Sequence, residues 1–285
     1  MSIEQRKIRI VADSSADISE LAGADFAVAP LKIITSVKEY VDNAELDVAQ
    51  MATEMQSYKG RSTTSCPNTE DWLLAFGDAD DVFCVTITAT LSGSYNSAMI
   101  AKREYEEKHA GRRVFVLNSL STGPEMVLML KRLVELLGEG LGFDEICAAI
   151  DEYSKSTQLI FVLESLNNLA NNGRVSPIVA KMAGILGIRL VAKASEKGDV
   201  EPIAKCRGER KALEEVVAQM TVLGYRGGRV EIGHCLNETA AETIKNMVME
   251  KYPAAEPHVY PLGGLCSFYA EKGGVLMGFE TVDSK

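Results

Sequence analysis

The clearest pattern of hydrophobic and polar positions lies in residues 82–98, where an apolar run gives way to a polar turn and then to helical spacing. Residues 82–88 are apolar and rich in β-branched side chains, which predicts a buried strand of a parallel sheet. The turn reads Leu91-Ser92-Gly93-Ser94, and apolar positions from Tyr95 onward have the spacing of a helix. The pattern therefore predicts a strand, a hydroxyl-rich turn and a helix in immediate succession.

Such a turn favours the binding of an anion. Free backbone N–H groups at a helix start carry partial positive charge, and Ser92 or Ser94 can add an O–H donor. Gly93 would let a ligand approach the backbone, so a phosphate or a carboxylate would fit. The alternative is that one of these serines only caps the helix.

Strand, polar loop and helix recur along the first half of the chain. Residues 8–12 form a predicted strand that ends at Asp13, which either orients a neighbouring hydroxyl or caps a helix at residues 18–21. Residues 113–117 predict another strand, followed by a long helix. This alternation with short connections favours right-handed βαβ units and a parallel sheet through about residue 155.

Three further segments of the first half predict a strand, a turn and a hydroxyl-rich loop. Residues 26–34 predict one strand, with Pro30 indicating an edge position or a bulge. Residues 40–42 read as a polar turn. Residues 61–68 contain four successive hydroxyl side chains in a predicted loop before a helix. This second hydroxyl cluster could converge with the Ser92 turn on one anion, or it could be ordinary loop composition.

The pattern changes after residue 157. It predicts a strand at 159–163, a short helix closed by Gly173, an apolar helical run at 178–190 and an antiparallel hairpin around 196–199. Further helices and strands follow, the last strand being predicted at 258–261. We therefore expect two domains, an α/β domain at 1–156 and an α+β domain at 157–285.

Composition and charge argue against several classes of function. The chain has 285 residues with 30 Lys and Arg against 40 Asp and Glu, a net charge of −10, which argues against a broad basic face for nucleic acid. The charged start and the absence of a membrane-length apolar run predict a cytoplasmic location. Six cysteines without a C-x-x-C pair argue against a zinc site, a redox dithiol or a disulfide framework.

Several short segments, taken together, resemble the DegV family of bacterial fatty-acid-binding proteins, the carrier subunits of fatty acid kinase. In chain order they are Val11-Ala12-Asp13-Ser14-Ser15-Ala16-Asp17, Pro30-Leu31-Lys32-Ile33, Thr63-Thr64-Ser65-Cys66-Pro67, Leu91-Ser92-Gly93-Ser94-Tyr95-Asn96-Ser97-Ala98, Gly173-Arg174-Val175-Ser176 and Lys205-Cys206-Arg207-Gly208. The resemblance covers nearly the whole chain. It implies a two-domain fold, α/β followed by α+β, with a long-chain fatty acid held in a tunnel between the domains and no other cofactor.

The resemblance also implies roles for particular residues. The carboxylate-binding residues would be Thr64, Ser65, Ser92, Gly93, Ser94 and Tyr269. The tunnel-lining candidates would be Ile178, Met182, Ile185 and Leu186, although core packing is the alternative for each. Arg174 and Arg207 would contact the catalytic subunit of the kinase, or form structural ion pairs.

The end of the chain departs from the family pattern. The family's His-Thr-Gly-Pro-Gly motif is replaced here by Tyr269-Ala270-Glu271-Lys272-Gly273. A phenol can donate a hydrogen bond but does not supply the charge of an imidazolium, so the charge-assisted contact to a carboxylate would be lost.

Two other functions stay open at this point. One is an enzyme in which Ser92 or Ser94 attacks an acyl or phosphoryl ester, although no partner base is evident and the G-x-S-x-G elbow is absent. The other is a carrier for a different carboxylate ligand. We expect a carrier without catalytic residues of its own, whose kinase activity resides in a partner.

Overall fold

A computed structural model describes residues 6–180 and 187–282. Its strands are β1 (Ile8–Asp13), β2 (Phe26–Ala29), β3 (Lys32–Ile34), β4 (Glu39–Val41), β5 (Thr63–Ser65), β6 (Asp81–Thr86), β7 (Arg113–Asn118), β8 (Thr157–Leu163), β9 (Ile188–Ala194), β10 (Val200–Arg207), β11 (Gly228–His234), β12 (Ala255–Pro261) and β13 (Val275–Glu280). Its helices are α1 (Val48–Ser57), α2 (Thr69–Phe76), α3 (Ser94–Lys108), α4 (Pro124–Gly138), α5 (Phe143–Ser154), α6 (Asn167–Asn171), α7 (Pro177–Ala180), α8 (Glu209–Val222), α9 (Glu238–Lys251) and α10 (Gly264–Ala270).

The first sheet is parallel, as the strand–loop–helix alternation predicts. Its strand order is β2-β1-β6-β7, with helical connections between successive strands of its core. The central strand β6 is buried along its whole length, which explains its continuous apolar run. The carboxyl ends of β1, β6 and β7 therefore meet at one edge, the usual location of ligand crevices in such sheets.

The second sheet is mixed and has the order β10-β9-β8-β13-β11-β12. Only β11 and β12 pair in parallel, and β9 and β10 form the predicted antiparallel hairpin. The sequence analysis missed β13, which lies between β8 and β11 at the centre of the sheet. It also missed α10, because residues 264–280 follow the last predicted strand and contain closely spaced glycines that interrupt any periodic pattern.

A small antiparallel sheet, β4-β3-β5, corrects three sequence predictions. The predicted strand 26–34 is divided at Pro30, and its two parts belong to different sheets. The predicted turn at 40–42 is largely strand β4, and the hydroxyl-rich loop at 61–68 contains strand β5. Three-residue strands are too short for alternation to identify them against a polar background.

Two other helix predictions differ from the structure. No helix forms at residues 18–21; instead a 3₁₀ turn covers Ser14–Ala16, with Asp13 capping it. Helix α7 lies at the start of the predicted apolar helix at 178–190, whereas residues 188–190 belong to strand β9. The tunnel candidates Met182, Ile185 and Leu186 lie outside the described residues, and Ile178 is largely exposed.

Helix α4 lies between the two larger sheets. Met126, Met129 and Leu130 pack with the apolar side chains of the first sheet. The same helix packs against β8, β11 and β13 of the second sheet. Gly278 on β13 permits this approach, because a Cβ there would lie only 2.4 Å from the backbone nitrogen of Glu125.

Glu125 is the buried carboxyl at this junction. Its side chain is only 5% exposed, and Oε1 accepts a hydrogen bond from Thr157 Oγ1 at 2.7 Å. Burial raises the pKa of Glu125 from its ordinary value of 4.5 to about 7, although the hydroxyl groups of Ser121 and Thr157 oppose this rise. The carboxyl is therefore largely protonated in the folded protein under mildly acidic conditions.

This raised pKa makes stability depend on pH. Glu125 is protonated in both folded and unfolded chains below about pH 4.5, whereas only the unfolded chain ionises freely between 4.5 and about 7. Its contribution to the free energy of unfolding should fall across that window by about 3 kcal/mol. We predict that Glu125→Gln, which keeps an acceptor for Thr157, is more stable than the parent at pH 8 and similar near pH 4.

Urea unfolding at a series of pH values measures this difference. The exposed Glu107→Gln is the matched control and should show no comparable change with pH. A Glu125→Gln protein that is less stable than the parent at every pH would contradict the assignment.

Candidate functional site

A cavity lies between the first and second sheets. It comprises about 800 Å³ of space not occupied by protein atoms, part of which is open to solvent. Alternate residues of β8, which share one face of the sheet, form part of its apolar wall. Its lining residues in the apolar part include Leu31, Ile87, Leu91, Leu159, Phe161, Leu163, Leu169, Ala194, Val200, Leu265, Ala270 and Leu276.

A hydroxyl pair lies in the wall of this cavity. Thr64 Oγ1 on β5 is 2.7 Å from the Tyr269 hydroxyl on α10. One proton occupies the hydrogen bond between the two oxygens, so the other proton is available to a ligand. The pair is formed by residues that are 205 positions apart in sequence.

The Tyr269 phenol is neutral under ordinary conditions. Burial raises the pKa of Tyr269 above its usual value, and this rise outweighs the opposing effects of the Thr64 hydrogen bond and the Arg174 charge. Tyr269 can therefore donate a hydrogen bond to an anionic oxygen without adding negative charge.

Ser92 lines the same cavity as Thr64 and Tyr269. Its Oγ accepts a hydrogen bond from the backbone N–H of Ser94 at 3.3 Å, which leaves the Ser92 proton free to donate. Gly93 packs closely on the end of the β5 segment, since a Cβ at that position would lie 3.2 Å from Cys66 Sγ. The structure thus brings one hydroxyl from each of the two hydroxyl-rich segments to one cavity.

Ser94, Gly93 and Ser65 are placed differently from Ser92. Ser94 is buried, and its Oγ donates a hydrogen bond of 2.5 Å to Asp13 Oδ2. Ser65 follows Thr64 on β5, so strand alternation directs it to the opposite face. None of these three residues belongs to the cavity lining.

Asp13 organises the turn from the end of β1. Besides Ser94, its carboxylate accepts hydrogen bonds from the Ile87 N–H at 2.9 Å and from the Ser15 hydroxyl at 2.5 Å. Burial raises the pKa of Asp13, although these donors oppose that rise. Of the two roles considered for Asp13, the structure shows the first, since Asp13 orients the Ser94 hydroxyl. The predicted cap of a helix at residues 18–21 is wrong, because Asp13 instead caps the short 3₁₀ turn at Ser14–Ala16.

Helix α10 is attached to the first half of the chain at its N-terminus. Asp42 accepts hydrogen bonds from the backbone N–H groups of Gly264 at 2.7 Å and Leu265 at 2.9 Å. Asp17 accepts another from the Gly263 N–H at 2.9 Å. These two carboxylates satisfy donors at the helix start and so place α10, which carries Tyr269, beside β5.

The other end of α10 is held by α6. The Asn168 side-chain amide donates to the Phe268 carbonyl at 2.7 Å, and its backbone N–H donates to Glu271 Oε1 at 3.0 Å. Glu271 adopts a positive φ of 54° at the helix end. Tyr269 therefore lies between two anchored helix ends. Sequence patterns gave no sign of either anchor, because the partners are distant along the chain.

The two predicted arginines have different environments. Arg174 lines the cavity, and its Nε donates to the Leu91 carbonyl at 3.1 Å. Arg207 lies at the end of β10, is exposed and does not line the cavity.

None of the three histidines of the chain, His109, His234 and His258, lines the cavity that contains Ser92. The residues that the structure describes also contain no group of three or more His, Cys, Asp and Glu side chains arranged to hold a metal ion. The polar part of the cavity lining consists of hydroxyl residues together with Arg174, Gly198 and Asp199.

Comparison with known proteins identifies the family. A family model described as "Uncharacterised protein, DegV family" matches residues 7–280. The chain belongs to the DegV family. A DegV domain-containing protein of Streptococcus pneumoniae is 40% identical over 276 residues, which is 95% of this chain and 98% of that protein.

Two solved DegV structures share the fold closely. A DegV family protein from Eubacterium eligens, loaded with heptadecanoic acid, is 46% identical with a TM-score of 0.94, covering 96% of this chain and 100% of the other. The Streptococcus pneumoniae Fatty Acid Kinase (Fak) B3 protein, loaded with linoleic acid, is 40% identical with a TM-score of 0.94, covering 97% and 100%. The predicted combination of a parallel sheet with a mixed sheet is confirmed by these relatives and by the observed topology.

The helices within residues 6–180 and 187–282 include none with the length and apolar character needed to span a bilayer.

The different positions of Ser92 and Ser94 lead to a testable contrast. Ser94→Ala removes a donor from the buried Asp13 carboxylate, so it should lower the free energy of unfolding by about 1.5–3 kcal/mol. Ser92→Ala, which removes only a partly exposed hydroxyl, should change stability by less than about 1 kcal/mol. Chemical denaturation of both variants measures the contrast. Equal destabilisation by the two substitutions would contradict the placement of Ser94.

Proposed function

We propose that this protein binds a long-chain fatty acid in the cavity between its two large sheets and presents the carboxylate to a fatty acid kinase for acyl-phosphate formation. The observation that carries this proposal is the Thr64–Tyr269 hydroxyl pair in the wall of an otherwise largely apolar cavity. The fatty acids bound in the two DegV relatives support it. The protein would act as a carrier, with the phosphoryl transfer performed by its partner.

The donors at the head of the cavity suit a carboxylate. Thr64, Ser92 and Tyr269 each offer a hydroxyl, and hydrogen bonds to a charged acceptor are stronger than those between neutral groups. Arg174 adds positive charge nearby, since its field acts on Tyr269. These four residues compensate locally for a chain whose net charge is −10.

The rest of the wall suits an acyl chain. Leu159, Phe161 and Leu163 present three successive apolar side chains from one face of β8, and Leu276 adds another from β13. Each methylene group transferred from water to such a surface contributes roughly 0.8 kcal/mol. A ligand with a single anionic end and a long hydrocarbon tail matches this distribution of polar and apolar groups.

Removing one head-group donor should weaken binding without removing the tail contacts. Tyr269→Phe and Thr64→Val should each reduce fatty-acid affinity by about 1.5–3 kcal/mol, the usual contribution of a hydrogen bond to a charged group. Displacement of a fluorescent fatty acid from the purified protein measures both. Tyr40→Phe is the matched control, because its hydroxyl bonds Glu54 away from the cavity. Parental affinity in both test variants would overturn the head-group assignment.

Tyr269→His tests the coupling to a kinase. Restoring the histidine typical of the family motif should increase acyl-phosphate formation by a bacterial fatty acid kinase if Tyr269 limits that step. The rate of acyl-phosphate production with saturating fatty acid is the measurement. If the rate does not increase, Tyr269 is not what limits this step, and Glu271 and Lys272, which replace the Gly and Pro of the family motif, become the next residues to substitute.

Arg207 and Arg174 should affect the kinase reaction differently. Arg207 is exposed and outside the cavity, so Arg207→Ala should reduce kinase-dependent turnover while leaving fatty-acid affinity unchanged. Arg174→Ala should reduce both, because Arg174 lines the cavity. Exposed Arg210→Ala, on α8, is a control for loss of surface charge. Unchanged turnover with Arg207→Ala would contradict the assignment of Arg207 to the surface that contacts the kinase.

A further inference from the structure

The wall of the cavity contains a single cation among the described residues, which is Arg174. The only other charged residue of the lining, Asp199, is exposed. The remaining side-chain hydrogen-bond donors are hydroxyl groups and the Cys266 thiol, which donate without adding positive charge. Within this wall, Arg174 is therefore the side chain that can balance negative charge on a ligand.

Two backbone carbonyls orient the Arg174 guanidinium. Its Nε donates to the Leu91 carbonyl at 3.1 Å, and its Nη1 donates to the Asn172 carbonyl. Both acceptors are neutral, and among the described residues Arg174 forms no ion pair with a carboxylate. Arg189, by contrast, is paired with two glutamates. The positive charge of Arg174 is thus fixed in place without being neutralised by the protein.

The second terminal nitrogen of the guanidinium is available to a ligand. Within the part of the chain that the structure describes, Arg174 Nη2 has no hydrogen-bond partner. It is also not one of the polar atoms that lack both a partner and access to solvent. A planar guanidinium with accessible donors matches the oxygen atoms of a phosphoryl group in both geometry and charge.

Arg174 lies next to the head-group hydroxyls without bonding to them. The Leu91 carbonyl that it contacts immediately precedes Ser92 in the chain. Its charge also acts on the Tyr269 phenol, where it opposes the larger effect of burial on the pKa. A carboxylate held by the hydroxyl groups would therefore have Arg174 as its nearest cation within the wall.

A second cavity adjoins the first at Arg174. The residues common to both linings are Leu91, Arg174, Asp199 and Val200. The second lining adds polar and small residues, including Thr90, Gly173 and Ser176. A group that is attached to the carboxylate and directed toward this second cavity would meet the Arg174 guanidinium.

We propose that Arg174 binds the phosphoryl group that is transferred to the carboxylate of the ligand. This inference rests on the proposed fatty-acid function. In that reaction a carboxylate oxygen forms a bond to the terminal phosphorus of a nucleoside triphosphate held by the kinase. The bond from this phosphorus to the bridging oxygen breaks, and the nucleoside diphosphate leaves with the bonding electrons. Because the phosphoryl group brings more negative charge than the carboxylate it joins, the product depends on a cation more than the substrate does.

The test compares stearic acid with a stable analogue of its acyl phosphate, the β-ketophosphonate in which a methylene group replaces the bridging oxygen. Displacement of a fluorescent fatty acid gives both affinities for the parent, Arg174→Gln, Arg174→Lys and Arg210→Ala proteins, with no kinase present. Glutamine keeps a donor for the Leu91 carbonyl but removes the charge, whereas lysine keeps the charge without the planar fork. Arg210 is the control because it is exposed, pairs with Glu214 and does not line the cavity.

We expect Arg174→Gln to lower the affinity for the β-ketophosphonate about tenfold or more, and the affinity for stearic acid by less than about threefold. Arg174→Lys should lose less affinity for the β-ketophosphonate than Arg174→Gln does, because it retains the charge. Arg210→Ala should change neither affinity.

A merely structural role for Arg174 predicts a different result. Displacement of the Ser92 turn would weaken both ligands alike, since both place an oxygen atom at the head-group hydroxyls. Equal losses for the two ligands would therefore overturn the proposal, and so would a β-ketophosphonate that does not bind the parent although stearic acid does. Failure of stearic acid to bind the parent would instead refute the proposed fatty-acid function, so the two failures are distinguishable.

Discussion

The site depends first on two aspartates that hold the start of α10. Asp42 and Asp17 accept hydrogen bonds from three successive backbone N–H groups at Gly263, Gly264 and Leu265. Burial raises the pKa of both acids, so the helix-start donors must offset the unfavourable desolvation of any ionised form. Together with the Asn168 contacts at the other end of the helix, this attachment fixes Tyr269 beside β5 and so supports the hydroxyl pair in the cavity wall.

Asp13 performs the corresponding task for the other side of the site. Asp13, at the end of β1, accepts hydrogen bonds from the Ile87 N–H after β6 and from the hydroxyl of Ser94, the first residue of α3. These two contacts fix the position of the Ser92 turn. The side chains that face the cavity are therefore supported by buried groups that do not contact the ligand space themselves. Such support is what allows hydroxyls on loops and short strands to keep a defined geometry.

The sequence predicted the elements whose apolar period is long and regular, and it predicted the site only in part. The β6 run and the Ser92 turn were identifiable because local chemistry fixes both. Strand β13 was missed, although it is central, since its position comes from pairing with β8 and β11. Asp42 was missed for a related reason: its partners are more than 220 residues away. The role of Tyr269 came from family resemblance, because no local pattern marks it.

The distribution of charge and apolar surface indicates which groups would provide affinity for a ligand and which would fix its orientation. A net charge of −10 provides no long-range attraction for an anionic ligand. The affinity for the proposed fatty acid would therefore come mainly from burial of its hydrocarbon chain, at roughly 0.8 kcal/mol for each methylene group. The neutral donors Thr64, Ser92 and Tyr269 then act chiefly on orientation, since a carboxylate buried at the opposite end would lack them. In the proposed function, a carrier of this kind would hold its ligand mainly by the tail and present the head group to its partner protein.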